Sequence, residues 1–394
     1  MRIEDAREDF PIMKDLIYLD SAATSLSPTP VISAMNEYEL RYRANVGRGV
    51  HRLAVVATQK YADAHEKIAS FIGAQQGQTV ITKNTTEAIN MVACGIEWQK
   101  GDRVVTTLLE HHSNYLPWVR LREKYGLDLS VVPPGPDGTF ELSRFEDAID
   151  DTTKLVAVTH ASNVLGSITP VKEVAALCRE HDSRLLVDGA QSVPHIPVDV
   201  EEIGCDYLCF SGHKMLGPSG TGVLWMKSPT LNPLLVGGGM ISDVSADHYT
   251  EAGGYSRYEA GTPPIGSCIG LGKAVDYLNG IGMETVRDHE RELTTRIIEG
   301  LSSIKGVTVF GPPPGKNRIG VVSFTVEGLH PHDVAHILDE AAGIMVRSGE
   351  HCCIPLMRHI GTPNGTVRAS LHLYNNADDV ERLTMTVEEI SRMV

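Results

Sequence analysis

At 394 residues the chain is too long for one small domain and suits two units with sizeable buried cores. Its 42% hydrophobic and 22% charged residues are those of a soluble globular protein, and a formal net charge of −15 without a basic stripe argues against a nucleic-acid partner. No apolar run approaches the ~18 residues that cross a bilayer, so no membrane association is expected.

The amino-terminal segment MRIEDAREDFPIM is acidic and lacks the apolar core of a signal peptide, so a cytoplasmic location is expected. The seven cysteines (Cys94, Cys178, Cys205, Cys209, Cys268, Cys352 and Cys353) are odd in number and form no secretory framework. They offer no pair of CxxC knuckles, so no structural metal is expected. Cys205 and Cys209 lie in an apolar run and read as small buried hydrophobes.

In chain order, apolar β-rich runs fall at 79–82, 103–107, 129–133, 155–159, 184–188, 207–210 and 222–226. Helical patterns lie between many of them, at 59–72, 87–98 and 171–181. This alternation predicts an α/β layer with a mainly parallel seven-stranded sheet, whose ligands sit beyond the carboxyl ends of the strands. After about residue 266 the pattern changes. A long helix is expected over 269–303, strands at 307–310 and 320–326, a helix at 332–341, strands at 344–347 and 366–373, and a last helix at 377–393. The expected division is a large unit over 16–266 and a smaller α+β unit over 267–394, with residues 1–15 packing on the latter.

Two strand ends carry the chemistry. RLLVDGAQ puts Asp188 at the carboxyl end of an apolar strand, although Asp188 before Gly189 reads equally well as a turn. DYLCFSGHKMLG runs another apolar strand into Ser211, Gly212, His213 and Lys214. A lysine there must be solvated or paired. A Schiff base with the aldehyde of pyridoxal 5′-phosphate (PLP) gives it a task, and Asp188 would then pair with the pyridine nitrogen and keep the ring an electron sink. Ser211 and His213 can donate to the phosphate. NTTEAIN opens a helix with Thr85 and Thr86, an anion site or simply a threonine cap ahead of Glu87. EHHSN follows a strand and brings His111 to the crevice.

The pieces THASNVLG, RLLVDGAQS, FSGHKMLGPSGTG, YEAGTPP, RSGEHCCIPLM and RASLHLYNN follow one another as in enzymes of the class V aminotransferase fold, PLP fold type I. More narrowly, the chain resembles a group II cysteine desulfurase, the group that includes selenocysteine lyase-like proteins. The resemblance runs from YLDSAATS at Tyr18 to the final helix. It implies that Lys214 carries PLP, that Asp188 binds the pyridine nitrogen and Gln191 the ring hydroxyl, and that His111 stacks on the ring. It gives the phosphate to Thr86, Ser211 and His213, with Thr85 nearby. It also implies a homodimer in which Thr262 of YEAGTPP reaches the phosphate of the partner subunit. The Gly-rich run 237–239 then reads as a loop at the edge of the site and matches no dinucleotide fingerprint.

Two residues define the substrate. Arg368, on an expected strand, offers a bidentate match to an α-carboxylate, assisted by Asn163. Cys352 lies in a polar loop between Gly349 and Pro355, where a nucleophile has room to move, and His351 and Arg347 are placed to raise its thiolate fraction. The implied reaction converts L-cysteine to L-alanine and leaves a persulfide on Cys352. An acceptor protein, for example one of iron–sulfur assembly, would then take the sulfur. Selenocysteine lyase, desulfination of cysteine sulfinate and transamination use the same cofactor, but transamination needs no thiol. A non-catalytic thiol relay would not need Lys214, Asp188 and Gln191 together. A nicotinamide oxidoreductase would need a GxGxxG turn that is missing here. Two positions depart from the family pattern. Cys353 follows the nucleophile, where it could be inert, accept sulfur or trap Cys352 in a disulfide. Gly47 of ANVGRGVH stands where relatives often carry His.

Overall fold

The computed structural model describes residues 2–47, 49–315 and 317–393. A short strand β1 (Ile17–Tyr18) precedes the strands of the main sheet. These are β2 (Gln78–Thr82), β3 (Arg103–Thr107), β4 (Asp128–Val132), β5 (Thr153–Thr159), β6 (Arg184–Asp188), β7 (Tyr207–Ser211) and β8 (Gly222–Met226). Their spatial order is β2-β8-β7-β6-β5-β3-β4. Within this seven-stranded sheet β8 alone runs opposite to the other six strands. The α/β class and the mainly parallel sheet are those expected.

The sequence accounts for the order. LVAV, RLLV and YLCF are continuous apolar runs, as central parallel strands covered on both faces require. The residues of β7 and β8 are all buried, and Cys205 and Cys209 are fully so. The helix Arg52–Phe71 covers one face of the layer together with Ile265–Ile281. The edge strand β4 opens with the exposed Asp128 and is covered only toward Val132.

The hairpin β9 (Ile241–Val244) and β10 (Tyr249–Glu251) is exposed and adds no core. A second sheet follows from β11 (Val307–Phe310), β12 (Val321–Val326), β14 (Arg347–Gly349) and β15 (Thr366–Ser370), in the order β11-β12-β15-β14 and wholly antiparallel. The short β13 (Ile344–Met345) pairs instead with β1.

Two elements differ from expectation. The stretch expected as one helix over 269–303 is two helices, Ile265–Ile281 and Met283–Ser302. Gly282, at φ +92°, turns the chain between them, a conformation that Cβ-bearing residues rarely hold. The strand expected over 344–347 is likewise two, β13 and β14, each with a different partner. The helix Ile265–Ile281 packs in the core of the large sheet. At the other end, β1 and Leu19 belong to the carboxy-terminal packing. Residues 3–14 bridge both units. Arg7 pairs with the buried Asp379 at 2.7 Å, Phe10 packs on Tyr374, and Tyr277 Oη donates to Asp9 at 2.9 Å.

The start of the helix Thr85–Gly95 is held in place from below. Asn84 accepts from Glu87 N at 3.0 Å as an N-cap, while Glu87 accepts from Lys83 N at 2.6 Å. Gly222 of β8 lies directly underneath, where a Cβ would stand 2.4 Å from Asn84 Cα. We expect Gly222→Ala to destabilise the fold by about 1–3 kcal/mol, since overpacking against backbone has no soft way out. Urea unfolding measures it, and an unchanged midpoint would contradict this close approach.

Candidate active site

The carboxyl ends of β5, β6 and β7 open into one pocket, lined among others by Thr159, Asp188, Ser211 and Lys214. The start of the helix Thr85–Gly95 forms one wall and His111, after β3, forms another. The second sheet closes the pocket with Arg347 of β14 and Arg368 of β15. Of the residues singled out in the sequence, Thr85, Thr86, His111, Asn163, Asp188, Gln191, Ser211, His213, Lys214 and Arg368 all line this space.

One end of the pocket is rich in hydroxyls and helix-start amides. Thr85 N donates to Ser211 Oγ at 2.9 Å, and the two hydroxyls lie 2.6 Å apart. Thr86 Oγ1 lies 2.7 Å from Ser113 Oγ. His213 closes this group, and burial lowers its ring to about 4, with Lys214 adding to the effect. The set suits an anion because it presents neutral donors at a helix amino terminus.

The centre holds opposed charges. Asp188 is buried and accepts from Ala190 N at 2.9 Å. Burial raises its carboxyl, while that bond and the field of Lys214 pull it down. Burial lowers the Lys214 amine to about 8; Asp188 opposes the shift and the two arginines add to it. Gln191 Nε2 donates to Ala22 O at 2.7 Å, which leaves its buried Oε1 with no partner among the described residues. Burial, then Lys214, lowers His111 to about 3, so its ring is neutral at physiological pH. Behind it Glu110 is fully buried and raised to about 8 by desolvation, and takes three hydrogen bonds, from Thr107, Asn114 and Thr159. That carboxyl fixes the turn that presents His111.

The third side carries the arginines and the cysteine loop. Arg368 is buried, pairs with Asp20 at 2.9 Å and donates to Asn163 O at 3.0 Å. Its Nε is buried and unpartnered among the described residues. Arg347 stands opposite it in register, so two guanidinium groups converge. Arg347 Nη2 also lies 3.6 Å from Cys352 Sγ. Cys352 is half-buried and its carbonyl accepts from His112 N at 2.8 Å. The sulfur is therefore beside the pocket rather than in its lining.

His351 does not act on Cys352 as expected. Its Nε2 faces Thr366, 2.9 Å from Oγ1 and 3.1 Å from the carbonyl. Burial, reinforced by Arg368 and Arg347, lowers it to about 2, so it carries no charge to lend a thiolate. The cation beside the sulfur is Arg347. Asn163 also differs in emphasis: its side chain is engaged on both atoms by the loop, through His351 O at 2.9 Å and Cys353 Sγ at 3.2 Å.

Thr262 and Gly47 lie elsewhere. Thr262 is exposed and lines a separate cleft with Gly47, Gly238 and Gly239. Gly47 has φ +90°, which suits glycine and disfavours any residue with a side chain. Its neighbour Arg48 is outside the described residues.

The aminotransferase class-V family model matches residues 17–383. A probable cysteine desulfurase of Methanothermobacter thermautotrophicus is 47% identical, with 100% of this chain and 99% of that protein aligned. One from Pyrococcus abyssi is also 47% identical, over 99% and 98%. The chain belongs to the cysteine desulfurases of the class-V aminotransferase family. Among solved structures, the apo cysteine desulfurase of Thermococcus onnurineus NA1 superposes with a TM-score of 0.97 at 47% identity, covering 100% of this chain and 99% of that one. The cysteine desulfurase CsdA of Escherichia coli gives 0.92 at 31%, over 100% and 99%.

For a cysteine desulfurase, two parts of the site were hard to see from sequence. Arg347 as a wall of the pocket follows only from its register with Arg368. Glu110 as the prop behind His111 is marked by its place three residues after the end of β3, within EHHSN.

The Lys214 amine gives a direct test. Only the neutral amine attacks an aldehyde, so a lowered pKa brings reactivity to lower pH. In cofactor-free protein, the rate of aldehyde capture at Lys214, trapped by borohydride and read by mass, should rise with pH and level off above about 8. A rate still climbing toward about 10.4, the ordinary lysine value, would contradict the buried setting.

Proposed function

We propose that this cysteine desulfurase is a PLP enzyme that converts L-cysteine to L-alanine and collects the sulfur as a persulfide on Cys352. The observation that carries the reading is the meeting, in one pocket, of a buried lysine, a buried aspartate at the end of the adjacent strand and an anion cup. An arginine-lined side with a free thiol beside it completes the arrangement.

The residues present fit the cofactor. The hydroxyl and helix-start group of Thr85, Thr86 and Ser211, with His213, suits the phosphate. Asp188, buried and short of a full counter-charge, suits a protonated pyridine nitrogen. The unpaired Oε1 of Gln191 can accept from a ring hydroxyl, and the neutral ring of His111 can stack on an aromatic face. When bound, PLP supplies an aldehyde for the amine and an electron sink for the electrons freed at Cα.

The chain's own residues then divide the work. Arg368 and Arg347 take the substrate carboxylate, with Asn163 beside them. Lys214, once displaced, holds the Cα proton as general base and returns one as acid, a role suited to an amine near 8. The Cys352 thiolate, with Arg347 adjacent, attacks the substrate sulfur. A sulfur–sulfur bond forms as the carbon–sulfur bond breaks, and that electron pair stays with the substrate carbon until protonation gives alanine. A protein acceptor with its own thiolate removes the sulfur, in iron–sulfur assembly or other transfer.

The same reading includes a homodimer. Thr262 and Gly47 line a cleft away from Lys214, as residues that serve a partner's site would. Leu40, Val50, Val55 and Val56, and Leu235 and Val236, are exposed apolar side chains of the kind an interface covers. A cytoplasmic location agrees with seven free cysteines, and no described helix is long and apolar enough to cross a membrane.

The test compares wild type, Lys214→Ala and Cys352→Ala with L-cysteine and a thiol acceptor, measuring alanine and sulfide. Wild type should turn over. Loss of Lys214 should remove activity by at least about a thousandfold, as for loss of a group central to covalent catalysis. Cys352→Ala should keep the yellow cofactor but lose desulfuration. Undiminished alanine from Cys352→Ala would overturn the assignment of the sulfur acceptor.

A further inference from the structure

The loop that carries Cys352 is held in a costly shape. His351 and Cys352 are consecutive residues with φ +51° and +59°, in the left-handed region that side chains other than glycine's seldom adopt. Such a pair persists only where the surroundings over-determine it. From one side His112 does so, with its N–H on Cys352 O at 2.8 Å and its ring Nε2 accepting from Ile354 N at 3.2 Å. From the other side Asn163 does so, and half of its hold depends on Cys353.

Cys353 is fully buried in a small apolar cluster with Leu109, Val164, Leu165, Leu356 and Met357. Its N–H donates to Glu350 O at 2.9 Å and its thiol to Asn163 Oδ1 at 3.2 Å. The same Asn163 side chain donates through Nδ2 to His351 O at 2.9 Å. Thiol and amide thus orient each other: with Oδ1 taken by the S–H, Nδ2 is aimed at the carbonyl next to the nucleophile. Burial pushes the Cys353 thiol well above the ordinary range, which keeps it protonated as a donor and denies it thiolate chemistry.

We propose that Cys353 is a positioning residue: its S–H, acting through Asn163, sets the loop that presents Cys352, and it takes no sulfur itself. The proposal rests on the desulfurase reading above, and it removes two roles otherwise open to a cysteine at this place. A sulfur acceptor must be reached by substrate, and Cys353 has no exposure. A disulfide partner must leave Asn163, exposing a buried amide oxygen without its donor.

The experiment uses the PLP-loaded wild type with Cys353→Ala and Cys353→Ser. Serine keeps an X–H donor at the same place and alanine removes it. Cys353→Ala should lower kcat for alanine formation about fivefold, the scale of one hydrogen bond, with KM for L-cysteine and the cofactor absorption unchanged. Cys353→Ser should recover kcat to within about twofold of wild type, a rescue that general loosening of the core would not produce. In wild type exposed to L-cysteine without reductant, peptide mass mapping should find the added sulfur on Cys352 and not on Cys353; this arm needs no variant to fold. A kcat for Cys353→Ala equal to wild type, a serine variant no better than alanine, or sulfur on Cys353 would each overturn the proposal. Failure of the desulfurase reading is separable, since it would show as an inactive wild type.

Discussion

Burial of opposite charges at the ends of adjacent strands is the constraint on which the site depends. Asp188 ends β6 and Lys214 follows β7, its parallel neighbour. Taking both from water is costly, and each eases the cost for the other: burial raises Asp188 and lowers Lys214, while their mutual field works against both shifts. The lysine is left an amine near 8, reactive where an ordinary one is not. The sheet has to be rigid to keep this arrangement, and the fully buried strands around it provide that. The same carboxyl ends collect the hydroxyls of Thr85 and Ser211, so anion cup, acid and amine share one edge of one sheet.

The second constraint is the joining of two units. Arg347 and Arg368 come from the carboxy-terminal sheet and meet Asn163 and Lys214 from the other. Two like charges face each other in register, which destabilises a strand pair unless an anion answers them. Asp20 answers Arg368 in part. On the proposed reading a substrate carboxylate would supply the rest, and binding it would also tie the two units together. The cysteine loop depends on both as well: Thr366 of the second sheet orients His351, while His112 and Asn163 from the first hold Cys352 and its neighbours.

Much of this was legible in the sequence for physical reasons. Buried parallel strands read as continuous apolar runs, and Asp188 and Lys214 interrupt such runs where a polar residue needs a purpose. The Thr85 helix start carries its own cap signal in Asn84 and Glu87. Less legible was whatever depends on pairing or on one backbone angle. Gly282 divides what periodicity reads as one helix, because period alone does not register a positive φ. β13 and β14 read as one strand until their different partners separate them. His351 reads as a charged neighbour of Cys352, yet burial makes it neutral and turns it to Thr366. Cys353 reads as an anomaly until Asn163 is seen beside it. Thr262 and Gly47 line a cleft apart from Lys214, a separation that motif order along the chain does not register.

The central claim is that Lys214 and Cys352 act in one reaction, the first moving protons at the substrate carbon and the second taking its sulfur. The most direct measurement is a single turnover of the PLP-loaded enzyme with sulfur-labelled L-cysteine, quenched at intervals and scored for alanine and for label on the Cys352 peptide. The account predicts that label on Cys352 and alanine appear together, at about one sulfur per active site and with matching early rates. Alanine formed while Cys352 stays unlabelled would contradict it.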